Sequence, residues 1–184
     1  MNLSLDGFMS GANAELDWHF NAWNEEMGEK LLELLEKADT ILLGRHTYEV
    51  MATYWPMKPL EQNFPRQDLA IADKMNRYTK IVFSKSDIAL SWNNSKFARK
   101  NAEVEIIQLK QQKGKDIILI GSGRLVTSIM ELNLIDEYQL WIHPVILGKG
   151  NPLFKGCGRH TNLQLRESVV FELGVIALNY EVIH

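Results

Sequence analysis

Short, mostly apolar runs alternate along the chain with stretches of helical periodicity. Thr40-Ile41-Leu42-Leu43, Lys80-Ile81-Val82-Phe83 and Asp116-Ile117-Ile118-Leu119-Ile120 are too short for buried helices and read as buried strands. From Asn24 onward, Met27, Leu31, Leu34, Leu35 and Ala38 recur at spacings of three and four. That predicts a helix with Asn24 as its N-cap and Glu25 and Glu26 suited to its positive end. A short helix begins around His46, another spans Arg66 to Arg77, and a fourth carries Leu125, Val126, Ile129, Met130 and Leu132. Met1 to Leu5 alternates and stops at the Asp6-Gly7 turn, so it reads as the tail of a strand. Pro56 to Pro65 holds three prolines and reads as a loop, as does the polar stretch Ser91 to Lys100. Ala102 to Lys113 suits a strand or a short helix equally. Glu137 to His143 is a further strand. Leu163 to Phe171 and Val175 to Ile183, separated by Glu172-Leu173-Gly174, resemble an antiparallel hairpin. The pattern predicts an α/β fold with a mixed, mostly parallel central sheet, helices on both faces and a C-terminal hairpin. No repeat or linker interrupts it, so residues 1–184 read as a single domain.

Composition narrows the function. Of 184 residues 46% are apolar and 23% charged, and the formal net charge is -3 with both signs interspersed. A polyanion partner calls for a basic face, and no Lys/Arg cluster supplies one. No apolar run reaches the roughly 18 residues of a membrane span. The single cysteine, Cys157, permits no intrachain disulfide, which fits a reducing compartment and a cytoplasmic location. No two histidines or cysteines stand at metal-ligand spacing, so no metal is expected.

Three turns carry the chemistry, each at the carboxyl end of a buried strand, where ligands of open α/β sheets sit. Gly121-Ser122-Gly123-Arg124 leads into a helix whose N-terminus offers unpaired N–H groups to a phosphate. Val126 stands where the dinucleotide fingerprint of Rossmann proteins requires a small residue, so a nucleotide site here has another architecture. Gly44-Arg45-His46-Thr47 combines a strand-end glycine, a guanidinium and a hydroxyl near a helix start. Ser84-Lys85-Ser86 offers two hydroxyls and an ammonium, a set suited to the monoester phosphate that distinguishes NADP from NAD. Each turn alone is also an ordinary connection, with Arg45 on the surface and Thr47 as an N-cap. The conjunction of all three is what carries the reading.

Leu42-Leu43-Gly44-Arg45-His46-Thr47-Tyr48-Glu49 resembles the dihydrofolate-reductase motif where the second strand meets its helix. The resemblance is closer still to the reductase domain of the bacterial riboflavin-biosynthesis deaminase/reductase and its stand-alone relatives. It rests on Ser4-Leu5-Asp6-Gly7-Phe8, Gly121-Ser122-Gly123-Arg124-Leu125, Leu134-Ile135-Asp136-Glu137 and His143-Pro144-Val145-Ile146-Leu147-Gly148-Lys149-Gly150. It implies a dihydrofolate-reductase-like three-layer fold and NADPH held by Gly44, Arg45, Thr47, Ser84, Lys85, Ser86, Gly121, Ser122, Gly123, Arg124 and Leu125. It also implies a cis peptide between Gly121 and Ser122. Glu137 to Leu147 and Leu163 to Ile183 are rich in apolar and β-branched residues, which predicts a homodimer formed through the C-terminal strands, and the resemblance also implies a dimer. The implied activity is reduction of a small heterocycle, with 5-amino-6-(5-phosphoribosylamino)uracil the leading named substrate. Dihydrofolate reduction further needs a buried carboxylate on the helix before the second strand, and the matching position is close to Gly28. That gap leaves open an NADP-binding protein without turnover. A fused zinc deaminase would need cysteine ligands that a single Cys157 does not supply. Asp17 is the candidate acid on the substrate side and Trp18 a candidate pocket wall, both at the end of the loop from Asp6 to Leu16. His46 and His143 read as structural.

Overall fold

A computed structural model describes residues 1–57, 66–121, 123–155, 158 and 160–183. Most of the Pro56 to Pro65 loop, Ser122 and Cys157 lie outside that set, as does the Gly121–Ser122 bond. The described chain divides into two compact units, Glu25–Leu125 and the remainder, Met1–Asn24 with Val126–His184. Among the described residues no helix is long and apolar enough to cross a membrane.

The unit Glu25–Leu125 is built on a parallel sheet. Its strands are β3 (Ala38–Gly44), β4 (Thr79–Phe83), β5 (Ser95–Phe97) and β6 (Asp116–Leu119), in the order β5-β4-β3-β6. Its helices are α1 (Glu25–Glu36), α2 (Arg45–Tyr54), α3 (Arg66–Arg77) and α4 (Ala102–Lys110). The apolar stripe expected on α1 closes over the sheet through Met27 and Leu35, both buried. Leu35, Ile41, Leu43, Tyr48, Ile71, Met75, Val82 and Trp92 form one continuous core. Ala38, counted above with the helix, opens β3 instead.

Two expectations needed tertiary information. The polar stretch Ser91 to Lys100 contains β5, whose three residues pair in parallel with β4. Backbone pairing on an edge decides its structure, and side-chain pattern does not. Within Ala102 to Lys113 the chain forms the helix α4 over Ala102–Lys110, capped by Asn101, whose side chain accepts from Val104 N–H at 2.9 Å.

The other unit holds β1 (Asn2–Ser4), β7 (Glu137–His143), β9 (Asn162–Val170) and β10 (Ile176–Ile183) in the order β1-β7-β10-β9. β1 runs parallel to β7, while β10 is antiparallel to both β7 and β9, the expected hairpin. A short ribbon pairs β2 (Phe8–Ser10) with β8 (Asn151–Pro152), a pairing no sequence signal announced. Trp141 stacks on Trp23 with centroids 5.9 Å apart and packs on Phe171. The last helix, α5 (Gly123–Glu131), starts in the first unit's sequence and ends in the second's.

Candidate functional site

Parallel pairing brings the three phosphate-competent turns to one end of one sheet. In the register, Gly44 stands opposite Phe83 and Leu42 opposite Leu119, so β3, β4 and β6 finish together. The turns touch in two places. Arg45 Nη1 donates to Ser86 Oγ at 3.0 Å, joining the turn after β3 to the turn after β4. Gly121 has φ +59°, and a Cβ there would lie 3.0 Å from Thr47 Cγ2 and 3.2 Å from its Oγ1. Only glycine tolerates both the left-handed backbone and that approach.

Local chemistry shapes each turn. Gly44, extended at φ -80° and ψ 161°, is the N-cap of α2 and provides no side-chain hydrogen bond. Thr47 therefore lies in the first helical turn rather than capping it, and its hydroxyl has no partner among the described residues. Ser84 Oγ donates to the Ser86 carbonyl at 2.6 Å and accepts from Ser86 N–H at 3.3 Å, closing the turn. Lys85 is exposed and has no polar partner among the described residues. Gly123 opens α5, Arg124 is exposed, and the Leu125 side chain is buried.

On α1, Gly28 is buried, while Glu25, Glu26 and Glu29 are exposed. Among the described residues of α1 only Met27, Gly28 and Leu35 are buried, and none is a carboxylate.

The other unit positions the remaining candidates. Asp17 and Trp18 begin a 3₁₀ turn, Asp17–Ala22. Asp17 is exposed; Trp18 Nε1 donates to the Glu15 carbonyl at 3.2 Å. Trp18 meets two imidazoles edge-on, His19 at 5.2 Å and His143 at 5.4 Å between centroids. His143 is 1% exposed and His19 9%. Burial pushes the His143 imidazole down to about 4, with the charge of His19 and the chain-terminal amine acting in the same direction. Burial also lowers His19, against the opposing pull of Asp17. Nothing local in the sequence links His19 and His143, two histidines at opposite ends of the chain. Among the described residues no group of three or more His, Cys, Asp or Glu forms a metal centre.

Asp6 explains two of the motifs quoted above. Its carboxylate accepts from Ser4 Oγ at 2.6 Å, Leu147 N–H at 3.2 Å and Gly148 N–H at 2.8 Å. Those bonds, the Ser4 hydroxyl first, hold its pKa below the ordinary carboxylate value. Ser4-Leu5-Asp6-Gly7-Phe8 is thereby tied to His143–Gly150. At Gly150 a Cβ would come within 2.3 Å of the Ser10 carbonyl, so β2 and β8 pair only past a glycine.

Comparison with known proteins decides the family. The model of the RibD C-terminal domain matches residues 1–177. This chain belongs to that family. The uncharacterized protein YyaP of Bacillus subtilis is 34% identical over 178 residues, covering 97% of this chain and 90% of YyaP. The crystal structure of a putative riboflavin biosynthesis protein from Shewanella sp. PV-4 superposes with a TM-score of 0.74 at 20% identity, covering 100% of this chain and 97% of that one. The Thermotoga maritima diaminohydroxyphosphoribosylaminopyrimidine deaminase/5-amino-6-(5-phosphoribosylamino)uracil reductase gives 0.64 at 15% identity, with 99% of this chain on 55% of that one. Enterococcus faecalis dihydrofolate reductase, solved with NADP(H), gives 0.58 at 15% identity, over 98% and 92%. The fold of this RibD C-terminal domain is thus dihydrofolate-reductase-like, with a parallel sheet, helices and antiparallel C-terminal strands.

Proposed function

We propose that this RibD C-terminal-domain protein is an NADPH-dependent reductase of a small pyrimidine- or pterin-like heterocycle. The leading candidate substrate is 5-amino-6-(5-phosphoribosylamino)uracil, named in the Thermotoga neighbour. The observation that carries the reading is the joining of the three turns through Arg45–Ser86 and Thr47–Gly121. A glycine cradle against a free hydroxyl, beside a guanidinium paired with a serine, has the chemistry of a phosphate site. When bound, the cofactor supplies the hydride. Arg45, Ser84, Lys85 and Ser86 would bind the 2′-phosphate. Gly44, Thr47 and Gly121 would hold the pyrophosphate together with Ser122, Gly123, Arg124 and Leu125. Asp17 is assigned as the acid on the substrate side and Trp18 as a wall of the substrate pocket.

We read residues 1–184 as one domain, in line with the family match over residues 1–177, and place the protein in the cytoplasm, in line with its lone cysteine. We also propose a homodimer formed through the C-terminal strands. Ile176 pairs with Ile142 on one side and Val170 on the other, and Tyr180 pairs with Tyr138 and Leu165. These residues form apolar rows leading to β9, the edge strand, where Val170 is 73% exposed. Long apolar edges are association surfaces, and two-fold pairing is the commonest way to cover them.

The buried Gly28 favours a second reading, a cofactor-binding protein without turnover. The two are separated by following reduced-nicotinamide absorbance with a panel of aminopyrimidine and pterin substrates. Substrate-dependent oxidation of NADPH supports the reductase. Tight NADPH binding with no oxidation across the panel supports the second reading.

A further inference from the structure

Parallel pairing gives the sheet a fourth carboxyl-end turn beyond the three that glycine, hydroxyl and guanidinium mark in the sequence. In β5, Ser95 stands opposite Lys80 of β4, Lys96 opposite Ile81 and Phe97 opposite Val82. Ala98 N–H extends the pairing to the Val82 carbonyl at 3.0 Å. Neighbouring strands lie about 4.8 Å apart, so the turn that opens at Ala98 starts beside the turn that opens at Ser84. Arg99 and Lys100 thereby join the end of the sheet that carries Arg45 and Lys85. The new turn is fixed by the helix it leads into. The Glu105 carboxylate accepts from Arg99 N–H at 3.0 Å and from Lys100 N–H at 3.2 Å. With Asn101 holding Val104 N–H as well, these backbone donors are taken, and an anion arriving here meets side chains. Lys100 Nζ is drawn along α4 to Gln108 Oε1 at 3.0 Å. Arg99 is exposed, and its guanidinium has no partner among the described residues.

We propose that Arg99 is a further specificity residue of the cofactor site, binding the 2′-phosphate from the β5 side while Arg45 and Lys85 bind it from the β3 and β4 sides. The inference takes its ligand from the reductase reading and its geometry from the β4–β5 register. The chemistry matches. A phosphate monoester carries close to two negative charges at neutral pH, and a planar guanidinium grips two of its oxygens at once. Arg45 already directs Nη1 to Ser86, and the Ser84 hydroxyl closes its own turn. Arg99 has its whole fork unengaged, on a backbone held by two hydrogen bonds. A cofactor without the 2′-phosphate presents nothing for that fork to grip. Arg99 therefore acts on the choice between NADPH and NADH and not on hydride transfer.

Adenosine 2′,5′-bisphosphate and 5′-AMP differ in the 2′-phosphate alone, so they test the assignment without catalysis. Isothermal titration into the full chain should show the bisphosphate bound more tightly. Arg99→Ala should cut that advantage roughly tenfold, and Arg99→Lys should cut it less, because lysine keeps the charge and loses the fork. The affinity for 5′-AMP should stay the same in both variants. Lys113→Ala serves as the charge control: Lys113 is exposed, in the loop between α4 and β6, at the other end of the sheet. It removes the same charge and should leave the advantage intact. An advantage that survives Arg99→Ala would overturn the role of Arg99 and leave the cofactor site standing. An equal loss in Lys113→Ala would reduce the effect to net charge and overturn it as well. No preference for the bisphosphate in the unmodified protein would overturn the NADPH reading itself, and this inference with it.

Discussion

At the scale of single residues, the phosphate site depends on two contacts that do different work. Arg45 is exposed and held by one hydrogen bond to Ser86, so its removal should leave the fold intact. A charge-assisted bond to phosphate is worth about 1.5–3 kcal/mol, so Arg45→Ala should weaken NADPH binding roughly 10- to 150-fold and NADH binding far less. Isothermal titration with both cofactors measures the difference. Gly121 acts through sterics. An alanine there takes on a left-handed backbone and pushes on Thr47 from 3.0 Å. Gly121→Ala should cost about 1–3 kcal/mol of stability in urea unfolding, and it should weaken both cofactors alike because the pyrophosphate is common to them. The turns were legible in the sequence because glycine, hydroxyl and guanidinium sit within a few residues of each other. The imidazole pair was not, because β1–β7 pairing and a 3₁₀ turn bring its members together, and neither leaves a local spacing.

At the scale of elements, α1, α3 and β7 were legible because their periodicity is unbroken and their boundaries carry charged or polar residues. β5 and β8 were not, since strands of two or three residues take their structure from a partner's backbone. Lys80 lies in β4 and reads as one more strand residue in sequence, yet it holds α3 in place. It is 0% exposed, and its ammonium donates to the Met75 and Asn76 carbonyls at the end of α3, both at 2.9 Å. The Trp92 ring lies 4.4 Å away. Burial pushes Lys80 down from 10.5 to about 8. A depressed lysine makes its full contribution above the unfolded value of 10.5 and loses it as pH falls through the folded value. Relative to Lys80→Met, the protein should therefore gain about 3 kcal/mol of unfolding free energy between pH 8 and pH 10.5. Denaturant melts of both proteins across that range test this. A constant gap between them would show that the ammonium is stabilised by its carbonyls and the indole as well as it is by water.

At the scale of the whole molecule, the edge strand β9 exposes Leu165 and Val170. An obligate dimer should bury on the order of 2,000 Å² or more. Light scattering at low micromolar concentration should give twice the chain mass, and Val170→Asp should return it to one if β9 forms the interface. A single-chain mass for the unmodified protein would end that proposal. The central claim, that the three joined turns form a site for the 2′-phosphorylated cofactor, is tested most directly by equilibrium titration of the purified chain with NADPH and NADH in the same buffer. One site per chain and at least tenfold tighter binding of NADPH are expected. Equal affinities, or no binding of either, would contradict it.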